Sequence, residues 1–298
     1  MKTLTRNAYA KVNLALDVLR RREDGYHDVC MIMQNLSLYD TLTFTVEEAD
    51  TLTITLACDK AFVPCDARNL IYKAIALMGE TYHLTGHVHV ELVKRIPVEA
   101  GMAGGSTDCA AAFHAMRELY GLDVSDQELM KLGVKLGADV PYCIMAKTAL
   151  SEGIGEVLTE VAPLPDCFVV VAKPTISVST KMVYENLHAN ELQHHPDVAG
   201  MVDALKQGRS VRCGKPHGKC LGDSHNEALS ADRGDQTDNE RVWCRKCDHE
   251  RQRTDGVWFI YRESDCRAGG RENPAAVRTF RGICDTAVLE LAEIFAES

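Results

Sequence analysis

The sequence predicts an α+β protein, and three observations carry that prediction. Residues 5–19 and 52–56 alternate apolar and polar positions with the period of strands, most cleanly in Leu52-Thr-Ile-Thr-Leu56. Residues 69–82 and 107–120 instead repeat their apolar positions with a helical period. Between them stands Pro97-Val-Glu-Ala-Gly-Met-Ala-Gly-Gly-Ser-Thr-Asp108, a glycine loop that leads into an alanine-rich stretch ending at Leu119.

Taken in order, residues 5–19 read as a strand and 29–46 as a second and a third, with 52–56 short and regular behind them. A helix is expected from Asn69 to Tyr82, and His87-Val-His-Val-Glu-Leu-Val-Lys94 is the strand that delivers the chain to the glycine loop. Helices follow over about 107–120 and about 126–136, the latter started by Ser125 with Glu128 three residues on, the pattern of a capping box. Residues 149–161 continue a first domain, 1–162. Cys167-Phe-Val-Val-Val-Ala172 opens a second, 163–298, with a helix starting at Ser179.

The chain has 298 residues, 46% hydrophobic and 26% charged, enough for two packed domains. Its net charge of -10 argues against a nucleic-acid binder. The opening Met1-Lys-Thr-Leu-Thr-Arg-Asn7 lacks the apolar core of a signal peptide, and no run approaches the roughly 18 apolar residues of a membrane span. The expectation is a cytoplasmic enzyme that binds neither nucleic acid nor membrane; oligomeric state is left open. Of twelve cysteines, Cys109, Cys143 and Cys167 stand in apolar stretches and read as small hydrophobes rather than a disulfide framework.

The glycine loop reads as a phosphate cradle. Gly101, Gly104 and Gly105 allow close approach of the backbone to an anion and dihedrals that a Cβ forbids. A helix beginning near Ser106 would point its first, unpaired N–H groups back at the loop, where phosphate is a natural guest. A tight loop with a Ser, Thr or Asp N-cap and no ligand is the plainer alternative. The spacing fits neither Gly-x4-Gly-Lys-Ser/Thr nor Gly-x-Gly-x-x-Gly.

With Ala8-Tyr-Ala-Lys-Val-Asn-Leu-Ala-Leu-Asp17, Arg20-Arg-Arg-Glu-Asp-Gly-Tyr-His27 and Leu136-Gly-Ala-Asp-Val-Pro-Tyr-Cys143, this loop resembles the motifs of the GHMP kinases, small-molecule kinases of galactose, homoserine, mevalonate and phosphomevalonate. The likeness runs from about residue 5 to about 207, and Asp24-Gly-Tyr-His27 points to the branch acting on a cytidine diphosphate sugar alcohol. The resemblance implies the two-domain GHMP fold with a ferredoxin-like second domain. It also implies ATP, with Mg²⁺, as donor and phosphorylation of the 2-hydroxyl of that acceptor on the non-mevalonate route to isoprenoids.

On the same resemblance, Lys11 and Asp139 are catalytic: the carboxylate accepts the hydroxyl proton while the neighbouring ammonium stabilises negative charge in transit. The ATP cradle is Pro97, Val98, Glu99, Ala100, Gly101, Met102, Ala103, Gly104, Gly105, Ser106 and Thr107, with the Ser106 and Thr107 hydroxyls available to phosphate or Mg²⁺. Asn13, Tyr26, His27 and Tyr184 are expected at the cytidine diphosphate substrate, because a cytosine ring needs π-faces and edge hydrogen bonds. No metal-ligand set is expected. Taken alone, Lys11 could be a solvated lysine, Asp139 a helix-terminus acid before Pro141, and Gly25-Tyr-His27 a plain turn.

Composition changes near Gly208. Residues 1–207 hold 7 Arg and 11 Lys; residues 208–298 hold 12 Arg, 3 Lys and both tryptophans, with no sustained strand or helix period between 208 and 281. The third GHMP motif, Met-Ser-Gly-Ser-Gly-Pro-Thr, is absent from this frame. Written in synonymous codons and read one base later, Cys247 to Ser264 gives Val-Ile-Met-Ser-Gly-Ser-Gly-Pro-Thr-Val-Phe-Gly-Leu-Phe-Ile-Ala-Lys, and the same offset turns Lys215 to Leu221 into Asn-Arg-Met-Gly-Asn-Val-Leu. A frame shift between about Ala204 and Cys213 accounts for both, and leaves the second domain incomplete and poorly ordered past 207. Two alternatives follow: a catalytically impaired remnant that still binds nucleotide, or a kinase domain with a zinc-binding tail built on Cys213, Cys220, Cys244, Cys247 and His249.

Overall fold

In the computed structural model the described residues are 1–165, 167–173, 195–207, 243–245, 257–262 and 279–281. They fall into two units, the first comprising Met1–Leu14, Asp28–Val98 and Met102–Glu160. Its strands are β1 (Lys2–Arg21), β2 (His27–Glu47), β3 (Leu52–Cys58), β4 (Gly86–Val93), β5 (Ala149–Glu152) and β6 (Val157–Glu160). They form a mixed sheet in the order β3-β4-β2-β5-β6, with β1 also paired to β2.

The expectation of two strands within 29–46 is corrected: β2 is one strand, with different partners along its length. Its last residues run antiparallel to β4, from Thr41 opposite Val93 to Glu47 opposite His87, while Met31 to Met33 pair with β5. Period-2 alternation sorts the faces. Leu42, Phe44, Val88 and Val90 are fully buried. Thr43, Thr45, His87 and His89 alternate with them on the other face, and Thr43 and Thr45 meet Thr5 and Thr3 of β1 through their hydroxyls.

Helices cover the buried face. Helix α1 (Leu70–Tyr82) starts at Asn69, whose side chain accepts from the Ile71 N–H at 2.9 Å, and it buries Ile71, Ala74, Ile75 and Met78. A Cβ on Gly79 would lie 2.1 Å from Leu52 Cδ2, so a larger residue would have to displace the Leu52 side chain where α1 meets β3. Helix α2 (Gly104–Tyr120) buries Ala110, Ala111, Ala112, Phe113, Ala115 and Met116. Its alanines let it pack with its backbone close to its neighbours. Helix α3 (Asp126–Gly133) carries the expected capping box, and α4 (Val140–Met145) follows a turn through Gly137 and Asp139.

The second unit comprises Ala15–His27, Glu99–Gly101 and Val161–Ser298, so 15–27 and 99–101 group apart from the domain assigned to them on sequence. Its sheet has the order β10-β7-β9-β8, built from β7 (Cys167–Lys173), β8 (Trp243–Arg245), β9 (Val257–Arg262) and β10 (Thr279–Arg281). Helix α5 (Val198–Lys206) is capped by Asp197 and buries Val198, Met201 and Leu205. Asp17 accepts from His195 Nδ1 at 2.7 Å in this unit.

The expectation that 208–281 lacks strands is therefore corrected, since β8, β9 and β10 lie there and β7 pairs with β9 and β10. Val257-Trp-Phe-Ile-Tyr261 is a continuous β-branched and aromatic run. It lacks the alternation of a half-exposed strand but has high β propensity. The helix expected at Ser179, and Cys213, Cys220, Cys247 and His249, lie outside the described residues.

Candidate active site

Lys11 lies in β1 between Ala10 and Val12, both buried, and is itself 4% exposed. Its backbone N–H donates to the Met102 carbonyl at 3.2 Å, which ties the strand to the end of the glycine loop. Its ammonium donates to Asn13 Oδ1 at 3.2 Å and lies 3.6 Å from Asp139 Oδ2. A buried ammonium needs such partners; the resemblance leads to the expectation of Asp139 beside it, but not of Asn13.

Asp139 stands at the N-cap of α4, so the expectation of a helix-terminus acid describes its position. It does not describe its side chain, which makes no cap bond and pairs with Lys11 instead; a third of it remains exposed. Pro141 in the first turn of α4 has no N–H to satisfy, which eases the uncapped start. Burial pushes the Cys143 thiol well up, aided by Asp139, and the Thr107 hydroxyl bonds to it.

The glycine loop differs from its expected form in instructive ways. Gly101 has φ 64°, but Gly104 and Gly105 open helix α2 and have no positive φ. The left-handed positions fall on Glu99, Gly101 and Ala103, each with φ between 54° and 64°, alternating with residues of negative φ. That alternation turns successive N–H groups toward one side, the backbone form of an anion nest. Two non-glycine residues held there signal strain maintained by the surrounding structure.

The cap expected from Ser106, Thr107 or Asp108 is corrected as well. The helix starts earlier, its N-cap is Ala103, and no side chain caps it; the first intrahelical bond runs from Thr107 N–H to Ala103 O at 2.8 Å. Its leading N–H groups have no capping side chain, which suits an anion at that end. Ser106 lies beside the turn that carries Asp139: a Cβ on Gly137 would sit 3.9 Å from its hydroxyl. Lys11, Asn13, Met102, Ser106 and Asp139 are thus gathered in the first unit.

Tyr26 and His27 belong to the second unit. They follow a turn in which Gly25 has φ 86°, the Arg22 N–H bonds Tyr26 O at 2.7 Å, and Asp24 accepts from the Tyr26 N–H at 3.1 Å. Tyr26 presents its ring to solvent and is 57% exposed, whereas His27 is 7% exposed. Burial lowers the His27 pKa, and the charge of Arg21 lowers it further, so the neutral ring is favoured. Tyr184 lies outside the described residues. The tie from Lys11 to Met102 and the positive φ of Glu99 and Ala103 have no sequence signal, because neither residue type favours that conformation and backbone bonds leave no pattern.

Among the described residues no helix is long and apolar enough to cross a membrane, and no group of three His, Cys, Asp or Glu is placed to hold a metal. Residues 69–147 match the GHMP kinases N terminal domain. The chain is 49% identical over 207 residues to the 4-diphosphocytidyl-2-C-methyl-D-erythritol kinase of Lachnoclostridium phytofermentans, covering 70% of each chain. It is 50% identical to the enzyme of that name from Clostridium novyi, covering 67% of this chain and 70% of the relative. A crystal structure of 4-(cytidine 5'-diphospho)-2C-methyl-D-erythritol kinase is similar at 36% identity with a TM-score of 0.57, covering 70% of this chain and 73% of that one. The phosphomevalonate kinase of Streptococcus pneumoniae shares the fold at 15% identity and a TM-score of 0.59, covering 88% and 92%.

Proposed function

The chain belongs to the GHMP kinases, in the family of 4-diphosphocytidyl-2-C-methyl-D-erythritol kinases, and from that membership we propose that Lys11 and Asp139 carry its phosphoryl transfer on ATP held by residues 97–107. The reaction is ATP-dependent phosphorylation of 4-diphosphocytidyl-2-C-methyl-D-erythritol, at its 2-hydroxyl, on the route to isoprenoid precursors. The pairing of Lys11 with Asp139 at 3.6 Å, on a strand bonded to the loop at Met102, carries this proposal.

Phosphoryl transfer asks for an oriented nucleophile and for positive charge beside the moving phosphoryl group. Asp139, partly exposed, takes the proton of the attacking hydroxyl while its oxygen bonds to the γ-phosphorus. The bond from the γ-phosphorus to the bridging oxygen breaks, and ADP leaves with the electron pair. Lys11 faces the same carboxylate and opposes the negative charge that builds on the phosphoryl oxygens. Asn13, hydrogen-bonded to Lys11, is assigned to a substrate hydroxyl.

The alternating dihedrals of Glu99 to Ala103 and the uncapped start of α2 suit the nucleotide's phosphates. Mg²⁺ bound with the nucleotide would neutralise phosphate charge, and the Ser106 hydroxyl is the group of this chain offered toward it. Tyr26 and His27 are assigned to the cytosine ring, the exposed phenol ring for stacking and the imidazole for an edge hydrogen bond. Residues 1–162 are assigned as the ATP-binding domain.

Asp139→Asn tests the assignment. Removing a general base is expected to lower kcat by about 10²–10⁴-fold, with nucleotide affinity retained because the loop is untouched. Turnover close to that of the unaltered chain would remove Asp139 from the mechanism.

A further inference from the structure

Behind the glycine loop lies a charged cluster that the phosphoryl transfer above leaves unused. Lys94, Asp40 and Asp108 are 6%, 0% and 3% exposed and come from the residue just after β4, from β2 and from the second turn of α2. The Lys94 ammonium donates to Asp40 Oδ2 at 2.5 Å and to Asp108 Oδ2 at 2.6 Å. Asp40 Oδ1 accepts from the backbone N–H groups of Arg95 at 2.5 Å and Ile96 at 2.8 Å. The Lys94 N–H bonds Asp59 Oδ1 at 2.8 Å.

A cluster of this kind is a poor way to gain stability, because desolvating the charges offsets their attraction and an apolar replacement is often as stable. What distinguishes it is its position. Asp40 fixes the backbone of the two residues before Pro97, where the chain enters the loop, and Asp108 is rooted in the helix by which the chain leaves it. Lys94 joins the two. Contact is close enough that a Cβ on Gly104 would lie 3.0 Å from Lys94 Nζ and 3.1 Å from Ile96 Cγ2. A side chain at Gly104 would press on this buried ammonium and on Ile96, so glycine suits the helix start here for a reason beyond any need for positive φ.

The charge balance supports the same view. Two carboxyls share one ammonium, and burial raises Asp108 to about 7 against the pull of Lys94. Burial opposes the charged form of Lys94 too, yet the two carboxyls outweigh it and its pKa is raised. Among the described residues Asp108 Oδ1 has no partner, so the arrangement favours the bridging geometry over full satisfaction of its polar atoms.

We propose that Lys94, held between Asp40 and Asp108, is a positioning residue for nucleotide binding: its ammonium sets the spacing between the strand that enters the phosphate loop and the helix that leaves it. The proposal rests on the assignment of residues 97–107 as the phosphate cradle, and its test separates the two.

The variant is Lys94→Met with Asp108→Asn in the full chain, which removes the bridging ammonium and the carboxyl it holds and leaves Asp40 on its backbone donors. Binding of ADP and of the cytidine diphosphate acceptor is measured by calorimetry, alongside thermal unfolding. A misplaced loop is expected to weaken ADP by at least about tenfold and to leave the acceptor within about twofold. Gly105→Asp is the companion: its nearest neighbour would be Leu70 Cδ1 at an ordinary 3.7 Å, so the carboxylate fits but repels phosphate. If Gly105→Asp binds ADP normally, the cradle assignment fails and the proposal with it. If Gly105→Asp loses ADP while the folded double variant keeps it, or loses both ligands equally, Lys94 has no positioning role. Should the double variant not fold, Asp108→Asn alone, which keeps Lys94 on Asp40, is read by the same criteria.

Discussion

His27 shows how one residue's environment bears on its role. It opens β2 directly after the Gly25 turn, nearly buried, and its lowered pKa favours the neutral imidazole, which offers one donor and one acceptor nitrogen. Such a ring can either donate to N3 or O2 of a cytosine or accept from its 4-amino group; an imidazolium can only donate. His27→Ala is therefore expected to raise KM for the cytidine diphosphate acceptor by about tenfold or more, the worth of a buried hydrogen bond lost from one partner, with KM for ATP little changed. Steady-state kinetics varying each substrate in turn decides it; equal rises in both KM values would make His27 a structural residue. The residue scale is also where the sequence is most legible. Lys11 and Asp139 are separated by more than a hundred positions, yet the motifs around them lead to the expectation that they stand together, and they pair at 3.6 Å. The sequence conceals the purpose of Gly104, since its constraint comes from Lys94 and Ile96 across the loop.

At the scale of elements, the site depends on α4 being held against α2, and His114 forms part of that join. Its Nε2 donates to the Ile144 carbonyl at 3.2 Å, and its Nδ1 accepts from Arg117 Nη2 at 3.0 Å, a pairing that requires the neutral ring. Burial lowers its pKa and the Arg117 charge lowers it further, outweighing the Ile144 bond and Asp126, which act the other way; Arg6 adds to the lowering. The folded chain thus takes up this proton less readily than the unfolded chain, so the contribution to stability is intact above about 6.5 and is lost as pH falls from there through the folded value. Thermal unfolding between pH 7.5 and 5 is expected to decline less steeply for His114→Gln than for the unaltered chain; parallel declines would show that His114 does not carry the effect. Helix positions were legible where caps and periods agree, as at Asn69 and Ser125. The start of α2 was not, because the pattern of apolar residues begins at Cys109 while the helix begins at Gly104, in a stretch whose glycines argue locally against a helix. Likewise, the length of β2 is set by partners at both ends, β5 and β4, which no local window contains.

For the whole molecule, residues 1–207 carry the GHMP-like motifs in frame, and the tail beyond them lacks the third. Strand β9 sharpens the case for a one-base offset. It occupies Val257–Arg262, and the segment read one base later gives Phe-Gly-Leu-Phe-Ile-Ala over the same stretch. Thymine at the middle of a codon specifies an apolar residue, and a thymine-rich run does so in either frame. An apolar strand can therefore survive an offset that erases the Gly-Ser-Gly motif just before it, whose codons keep no such property. On this account the chain as written keeps Lys11 and Asp139, proposed for catalysis, and the proposed phosphate loop, but lacks the third motif, whose glycine-rich backbone would offer N–H donors. Restoring the frame between the codons for Ala204 and Cys213 is expected to raise turnover of ATP with the cytidine diphosphate acceptor by about 10²-fold or more, the usual worth of oriented donors at the group in transit, while ADP binding to the loop changes little. Sequencing the gene and assaying both chains side by side provides the check: an unshifted gene whose product turns over as fast as the restored chain would establish the tail as an authentic alternative to the family's motif.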